Sequence, residues 1–146
     1  MSIETIALWH QRARPAPTAE NLNVQFGCHL EEIVETLNSV SIACLDDDVD
    51  YSAMMAALEC FADGLKKGTI KMHIEDRKEF LDGLADQIVT AVGSAHCAGM
   101  KIKEAVAEVD HSNWSKYDEN GLPIFNEHGK IMKGPHYAPP NLEGMY

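Results

Sequence analysis

The sequence predicts an all-α protein of four to five helices that ends in an irregular C-terminal arm. Apolar residues recur at three- and four-residue steps, which is typical of helices that bury one face. Towards the C-terminus this periodicity gives way to turn signals rich in glycine, asparagine and proline. With 146 residues, the chain is long enough to bury a core as one domain. We expect a helical domain over residues 1–117 and an arm over residues 118–146, packed on the same or a neighbouring subunit.

The first two predicted helices are separated by a proline-rich break. The first covers residues 2–13 and ends at residues 14–17, because proline and the residue before it resist helix. Its inward positions are predicted to be Ile3, Ile6 and either Leu8 or Trp9. The second begins at Thr18 and runs to about Leu45. Its row of apolar residues on one face, the apolar stripe, comprises Phe26, Leu30, Ile33, Val34, Leu37, Val40 and Cys44.

Capping signals place the remaining helices. The acidic run 46–50 is a loop, and Asp50 caps a third helix that is closed by Gly68. Its predicted stripe is Met54, Met55, Leu58, Phe61, Ala62 and Leu65. A fourth helix starts at Glu75 or Asp76 and ends at Gly99, and a fifth covers residues 101–114 with Ile102, Val106 and Val109 inward. In the arm, turn signals predict a small hairpin at 122–133.

Two carboxylate clusters lie at the edges of apolar stripes. Glu31, Glu32 and Glu35 share one ridge of the second predicted helix. Asp82 and Asp86 stand one turn apart on the fourth, beside a stripe formed by Leu81, Leu84, Ala85, Ile88, Val89 and Val92. Carboxylates so placed repel one another and are costly to bury unless they are paired or bind a metal. Brought together, the five favour a hard divalent cation; the alternative is that both clusters are solvated.

The net charge and composition of the chain argue against some classes of ligand and partner. The net charge of −11 argues against a nucleic-acid partner or an anionic membrane surface, but allows a small phosphorylated ligand whose charge is neutralised by cations. No apolar run approaches the roughly 20 residues of a membrane helix, and the N-terminus shows no secretion signal. The four cysteines lack C-x-x-C pairing, and three of them fall at helix-stripe positions typical of buried thiols in a reducing compartment, so we expect a cytoplasmic protein. An alternative zinc site would draw on Cys28, His29, His96 and Cys97.

The motif Glu31-Glu32-x-x-Glu35, followed by Asp82-x-x-x-Asp86 on a later helix, resembles the all-α nucleoside triphosphate pyrophosphohydrolases of the MazG-like type. Residues 24–32 and 82–88 look like the two metal-binding helices of that family. Residues 109–116 and 129–135 are similar to the C-terminal half of phage MazG-like proteins, including the MazZ type. One departure is Gly83, which stands where the family's second motif has a glutamate, with Asp82 one residue earlier.

This resemblance implies an enzyme that converts a nucleoside triphosphate, with dGTP as the first choice, to the monophosphate and pyrophosphate. It implies Mg²⁺ or Mn²⁺, two or more ions per site, and a location in the host cytoplasm if the gene belongs to a phage. The implied metal ligands are Glu31, Glu32, Glu35, Asp82 and Asp86. Glu31 and Glu35 are the implied catalytic residues, with Glu31 a ligand or the general base for the attacking water.

Ligand contacts beyond the carboxylates are also implied. The phosphate-binding candidates are Asn113, Lys116, Lys130 and Lys133. The candidates for the base are Trp9, Gln25, His29 and Trp114, with His10 and Tyr137 as further stacking or hydrogen-bonding groups.

The family builds its four-helix core within or between subunits, so we expect a homodimer or a dimer of dimers. Two other readings stay open. In one, the chain is a non-catalytic all-α module whose acidic ridge docks a basic partner. In the other, it is a metal-binding regulator in which the cation is structural.

Overall fold

A computed structural model describes residues 3–45 and 49–146 and confirms the all-α class. The helices in these residues are α1 (Ile3–Ala13), α2 (Ala19–Asn38), α3 (Tyr51–Lys67), α4 (Arg77–Cys97) and α5 (Ile102–Trp114). None of the described helices is long and apolar enough to cross a membrane. Most of the predicted acidic loop lies outside the described residues.

Local side-chain chemistry sets most helix ends where the sequence predicts them. Thr18 caps α2 in a reciprocal capping box with Asn21. Asp50 accepts a hydrogen bond from the backbone of Ala53 at the start of α3, and Asp76 caps α4 in the same manner. Gly68 ends α3 with a φ of 74°, a left-handed conformation that costs glycine little.

Helix α2 is shorter than predicted, because it ends at Asn38 rather than near Leu45. The hydroxyl of Ser39 donates to the carbonyl of Thr36 at 2.6 Å, which satisfies a terminal acceptor and stops the helix. The expected inward positions Val40 and Cys44 therefore lie beyond the helix and are exposed. β-Branched residues after Ser39 also favour extended backbone over helix.

The chain divides into two compact units. One contains α1, α4 and α5 and comprises the residues up to Ala16, His73–Ile124 and Ile131–Tyr146. The other contains α2 and α3 and comprises Pro17–Met72 and Phe125–Lys130. We call them the α1/α4/α5 unit and the α2/α3 unit. The arm beyond residue 117 contributes residues to both.

In the α2/α3 unit, the two helices pack directly on each other. The buried apolar residues are Val24, Val34, Met55, Ala62 and Leu65. Gly27 permits the close approach, since a Cβ atom there would lie 2.8 Å from the carbonyl oxygen of Ala62. Ile33, Met54 and Phe61, expected inward, are instead exposed, because one facing helix covers only a narrow part of each stripe.

The core of the α1/α4/α5 unit is formed by Trp9, Ala13 and Tyr117. Trp9 donates its indole N–H to the carbonyl of Asn113, and the Tyr117 hydroxyl donates to the carbonyl of Trp9. Of the two alternatives for the inward position, Trp9 is right, whereas Ile3 and Leu8 are exposed. One turn of α1 therefore packs on α5 and on the segment that follows α5.

The predicted stripes of α4 and α5 are largely uncovered. No residue of α4 is buried, and the exposed set on it includes Leu81, Ile88, Val89 and Val92. Val106 and Val109 of α5 are exposed as well. The predicted inward position of Val106 and Val109 is therefore not found within this chain. The only described helix that α4 contacts within its unit is α5, and that contact is slight.

In the arm, backbone hydrogen bonds support the predicted hairpin without extended strands. Met132 donates to Ile124 at 2.7 Å, and Asn126 donates to Lys130 at 3.0 Å. Further along, the Ser112 hydroxyl donates to the carbonyl of Ala138, which attaches the arm to α5.

Candidate functional site

A cleft of about 270 Å³ lies between α2 and α3 and is lined mainly by charged side chains. We call it the acidic cleft, and its lining residues are Glu31, Val34, Glu35, Glu59, Ala62, Asp63 and Lys66. Glu31 and Glu35 are predicted site residues, and the structure places them on one wall. Glu32 projects from the same helix, is exposed, and does not line the cleft.

The opposite wall carries Glu59 and Asp63, two carboxylates that sequence reasoning missed. They stand four residues apart on α3, the spacing that identified Asp82 and Asp86 on α4. Both flank the buried Ala62, so the same pattern at the edge of the α3 stripe was present in the sequence. Applying that rule to every helix would have found them.

Glu31 is held by two ammonium groups. Lys66 of α3 lies 2.7 Å from one carboxylate oxygen, and Lys130 of the arm lies 2.6 Å from the other. Lys66 also contacts Asp63 at 2.9 Å. Partial burial raises the pKa of Glu31, but the hydrogen bonds and charges of Lys130 and Lys66 outweigh it, so the net pKa is lowered. Glu31 is therefore ionised at neutral pH, and its two oxygens are oriented.

Lys66 is kept positively charged by its carboxylate partners, as Glu31 is kept ionised by its lysine partners. Burial lowers the pKa of Lys66, but Glu31 and Asp63 outweigh that effect, and the net pKa is raised. Its side chain is only 16% exposed, so this ion pair is better shielded from water than an ordinary surface pair.

The donor set of the acidic cleft fits a hard divalent cation in chemistry, because every candidate ligand is a carboxylate oxygen. In the described conformation, however, both oxygens of Glu31 are already bound by lysine. Within residues 3–45 and 49–146, no three His, Cys, Asp or Glu side chains are grouped so as to hold one ion. A cation at Glu31 would therefore require at least one lysine to leave it.

Asp82 and Asp86 lie on α4, in the α1/α4/α5 unit, whereas the three glutamates lie in the α2/α3 unit. The convergence of these five carboxylates stays a prediction. Between the two aspartates, Gly83 faces open space, since a Cβ atom there would meet nothing within 4 Å.

The predicted phosphate-binding residues are divided between the units in the same way. Asn113 lies in the last turn of α5 and Lys116 two residues beyond its end, and the ammonium group of Lys116 lies 5.9 Å from the centre of the Trp9 ring. Lys133 lies 4.7 Å from the centre of the Tyr137 ring. Lys130 alone belongs to the α2/α3 unit, where it contacts Glu31.

Two of the four base-binding candidates are packing residues in this structure. Trp9 is buried and stacks on Tyr117 with ring centres 5.8 Å apart. Trp114 meets Tyr117 edge-on at 5.6 Å and packs against the same cluster. Gln25 is exposed on α2, and the His29 ring lies 6.0 Å from that of Phe26. These positions favour a core role for the tryptophans, while Gln25 is exposed and His29 half-buried on α2.

A second cavity of about 250 Å³ lies in the α2/α3 unit, and sequence reasoning did not anticipate it. It is bounded by the first turn of α2, the last turn of α3, the segment that follows α3, and the arm residues Glu127 and His128. Lys66, Lys67 and Lys71 all contribute to its lining, so we call it the cationic cavity. Lys66 lines both this cavity and the acidic cleft.

Comparisons of the chain with protein-family models, curated proteins and solved structures yield no match. The likeness to MazG-like proteins therefore depends on the motifs quoted above.

Proposed function

We propose that this protein is a metal-dependent nucleoside triphosphate pyrophosphohydrolase. Its proposed substrate is a nucleotide, with dGTP as the first choice, and its products are the monophosphate and pyrophosphate. The observation that carries the proposal is the acidic cleft, where four carboxylates and a charged lysine surround one opening. The sequence resemblance of the two acidic motifs supplies the substrate class.

Hydrolysis of a phosphoanhydride requires that negative charge on the phosphoryl oxygens be neutralised and that a water molecule be activated. Mg²⁺ or Mn²⁺, when bound, would supply charge neutralisation and a more acidic water. We assign Glu31, Glu32, Glu35, Asp82 and Asp86 to hold these ions. Two or more ions per site would match this number of carboxylates.

The chain's own residues have distinct proposed tasks. Glu31 is proposed as a metal ligand or as the general base that accepts a proton from the attacking water, and either role requires Lys66 or Lys130 to leave one of its oxygens. Glu35, which lines the same cleft, is proposed as a catalytic metal ligand. Lys66 and Lys130 bring ammonium groups to the same place and neutralise phosphate oxygens. Asn113, Lys116 and Lys133 remain proposed phosphate contacts.

We also propose that the protein acts as a homodimer or a dimer of dimers in the cytoplasm. The uncovered stripe of α4 supports an assembly of copies, because contiguous exposed apolar residues mark interaction surfaces. The acidic net charge supports a small nucleotide as the ligand, rather than nucleic acid or a membrane.

The test is a substrate panel of the common deoxynucleoside and nucleoside triphosphates, with dUTP and dITP, each incubated with Mg²⁺ or Mn²⁺. Products are separated by ion-exchange chromatography. We expect monophosphate and pyrophosphate from one or two bases, and a loss of turnover of at least a hundredfold in Glu35→Gln with unchanged circular dichroism. Glu104→Gln, which alters an acidic residue in the first turn of α5, serves as the matched control and should retain wild-type turnover.

Absence of turnover with every nucleotide and both metals would refute the enzyme. Binding of a basic partner to the acidic face would then identify the chain as an interaction module. Metal-dependent stability without turnover would identify a regulator with a structural cation.

A further inference from the structure

The cationic cavity combines an apolar floor with a charged edge. Leu65 is fully buried beneath it, Val24 is 6% exposed, and Met72 is half-buried. The asparagine beside them, Asn23, donates its amide N–H to the carbonyl of Ile70 and accepts from the backbone of Met72. These two hydrogen bonds hold the segment after α3 against α2, so the floor is preformed.

The lining of this cavity carries three lysines and two glutamates, Glu20 and Glu127, in a chain that is otherwise strongly acidic. Three of the 12 basic side chains line it, although the net charge of the chain is −11. Lys66 and Lys67 are already paired with carboxylates at 2.7 to 3.1 Å. Lys71 is exposed and forms no ion pair within the described part of the chain. Its charge acts on the nearby Glu20 carboxylate without an ion pair, so it is the lysine of this set that a ligand can reach.

The first turn of α2 adds a second feature that favours an anion at the same edge. Ala19 and Glu20 line the cavity at the helix N-terminus, where the positive end of the helix dipole lies. The backbone N–H of Asn21 is already capped by Thr18. The Glu20 carboxylate accepts hydrogen bonds from its own backbone N–H and from Thr18, and together with the charge of Lys71 these lower its pKa. This carboxylate occupies the position that an external anion would take, so it is a competitor for it.

The arm supplies the remaining wall and links the cavity to the acidic cleft. Glu127 and His128 belong to a turn in which the Asn126 side chain accepts from the backbone N–H groups of His128 and Lys130. Lys130 then joins this turn to α2 through its 2.6 Å contact with Glu31. Neither Glu31 nor Lys130 lines the cavity, and both act as positioning residues for its wall.

From this arrangement we infer that the cationic cavity binds a nucleoside monophosphate, with the phosphate at Lys71 and the base over Met72 and the accessible part of Val24. The choice of a nucleoside as the apolar part rests on the proposed function. The volume of about 250 Å³ is just below the roughly 300–1,000 Å³ of typical small-molecule sites, so the cavity suits a small ligand and excludes a folded partner.

The experiment is isothermal titration calorimetry on the full chain in the absence of divalent metal. The probes are dGMP, deoxyguanosine and inorganic phosphate. We expect dGMP to bind at least tenfold more tightly than either fragment. Lys71→Met should weaken dGMP binding about tenfold, which corresponds to about 1.4 kcal/mol, and Lys71→Arg should restore most of it. Glu20→Gln should tighten binding, because it removes the competing carboxylate.

Lys103→Met removes an exposed lysine from α5 and is the matched control, which should bind dGMP as the wild type does. Lys130→Met tests the positioning role: it should weaken dGMP without changing the weak binding of inorganic phosphate. Equal losses in Lys71→Met and Lys103→Met would overturn the site, as would binding of inorganic phosphate as tight as that of dGMP.

Failure of this inference is distinguishable from failure of the proposed function. Turnover of a triphosphate without metal-free dGMP binding overturns the cavity assignment alone. Binding of dGMP that depends on Lys71, without turnover of any triphosphate, overturns the enzyme and supports the cavity.

Discussion

Helices α2 and α4 carry the same kind of sequence pattern, an apolar stripe edged by carboxylates, yet they differ in what covers them. In α2, Val24, Gly27 and Val34 are buried against α3. In α4, no residue is buried. The comparison teaches that a stripe predicts a helix face that needs a partner, but does not reveal whether the same chain provides it.

The largest expected effect concerns the uncovered face of α4. The double substitution Ile88→Lys and Val92→Lys should convert an oligomer to monomer, since each buried aliphatic side chain contributes roughly 1.5–3 kcal/mol. Two such losses weaken association by at least a hundredfold. Sedimentation velocity across a range of protein concentrations measures the change.

Val40→Lys, at an exposed residue beyond α2, is the control for added charge and should leave the oligomer intact. An assembly that persists in the double variant would show that α4 does not form the interface.

The next largest expected effect is on the free energy of unfolding and concerns α2, the helix that α3 covers. Gly27→Ala places a Cβ atom 2.8 Å from both the Ala62 carbonyl oxygen and the Lys66 side chain. Since the carbonyl belongs to helical backbone, the helices must separate, and we expect a loss of about 1–3 kcal/mol in the free energy of unfolding. Urea denaturation followed by circular dichroism gives this value. A stability equal to that of the wild type would contradict the close α2–α3 contact.

A smaller effect is expected from pH. The pKa of Glu31 is lowered in the folded protein from 4.5, so its ion pairs stabilise the native state above that pH. This stabilisation is lost as the pH falls from about 4.5 through the lower folded value. Wild type should exceed Glu31→Gln in urea midpoint at pH 7, and the difference should shrink progressively as the pH falls below about 4.5. Because Glu31 is 28% exposed, screening keeps the difference to about 1 kcal/mol.

A difference between the two proteins that does not change with pH would assign the stabilisation to packing rather than charge. The matched control substitution is Glu32→Gln, at an exposed carboxylate of the same helix that does not line the acidic cleft.

The smallest expected effect is a change in stability caused by a substitution in α4. Gly93→Ala introduces a Cβ atom that meets nothing within 4 Å, so the higher helix propensity of alanine should stabilise the protein by about 0.5–1 kcal/mol. Gly27→Ala makes the same chemical change with the opposite expected sign. Thermal unfolding of both variants gives a direct test of the comparison. Destabilisation by Gly93→Ala would indicate that another copy packs closely on this part of α4.

Much of the candidate site was within reach of the sequence. Glu31 and Glu35 do share a cleft, and the spacing that suggested them also applies to Glu59 and Asp63. The partners of Glu31 were not predictable, because Lys66 and Lys130 are 35 and 99 residues away along the chain. The cationic cavity was not predictable either. Its lining residues come together only because the first turn of α2 packs beside the last turn of α3.

The sequence by itself determined the all-α class and most helix ends, because caps such as Thr18, Asp50 and Gly68 act through hydrogen bonds and backbone geometry within a few residues. Only the tertiary structure decided which face of each helix is buried and which charges pair. Burial depends on the area that another helix covers, and an ion pair depends on distance through space, and neither is set by local sequence.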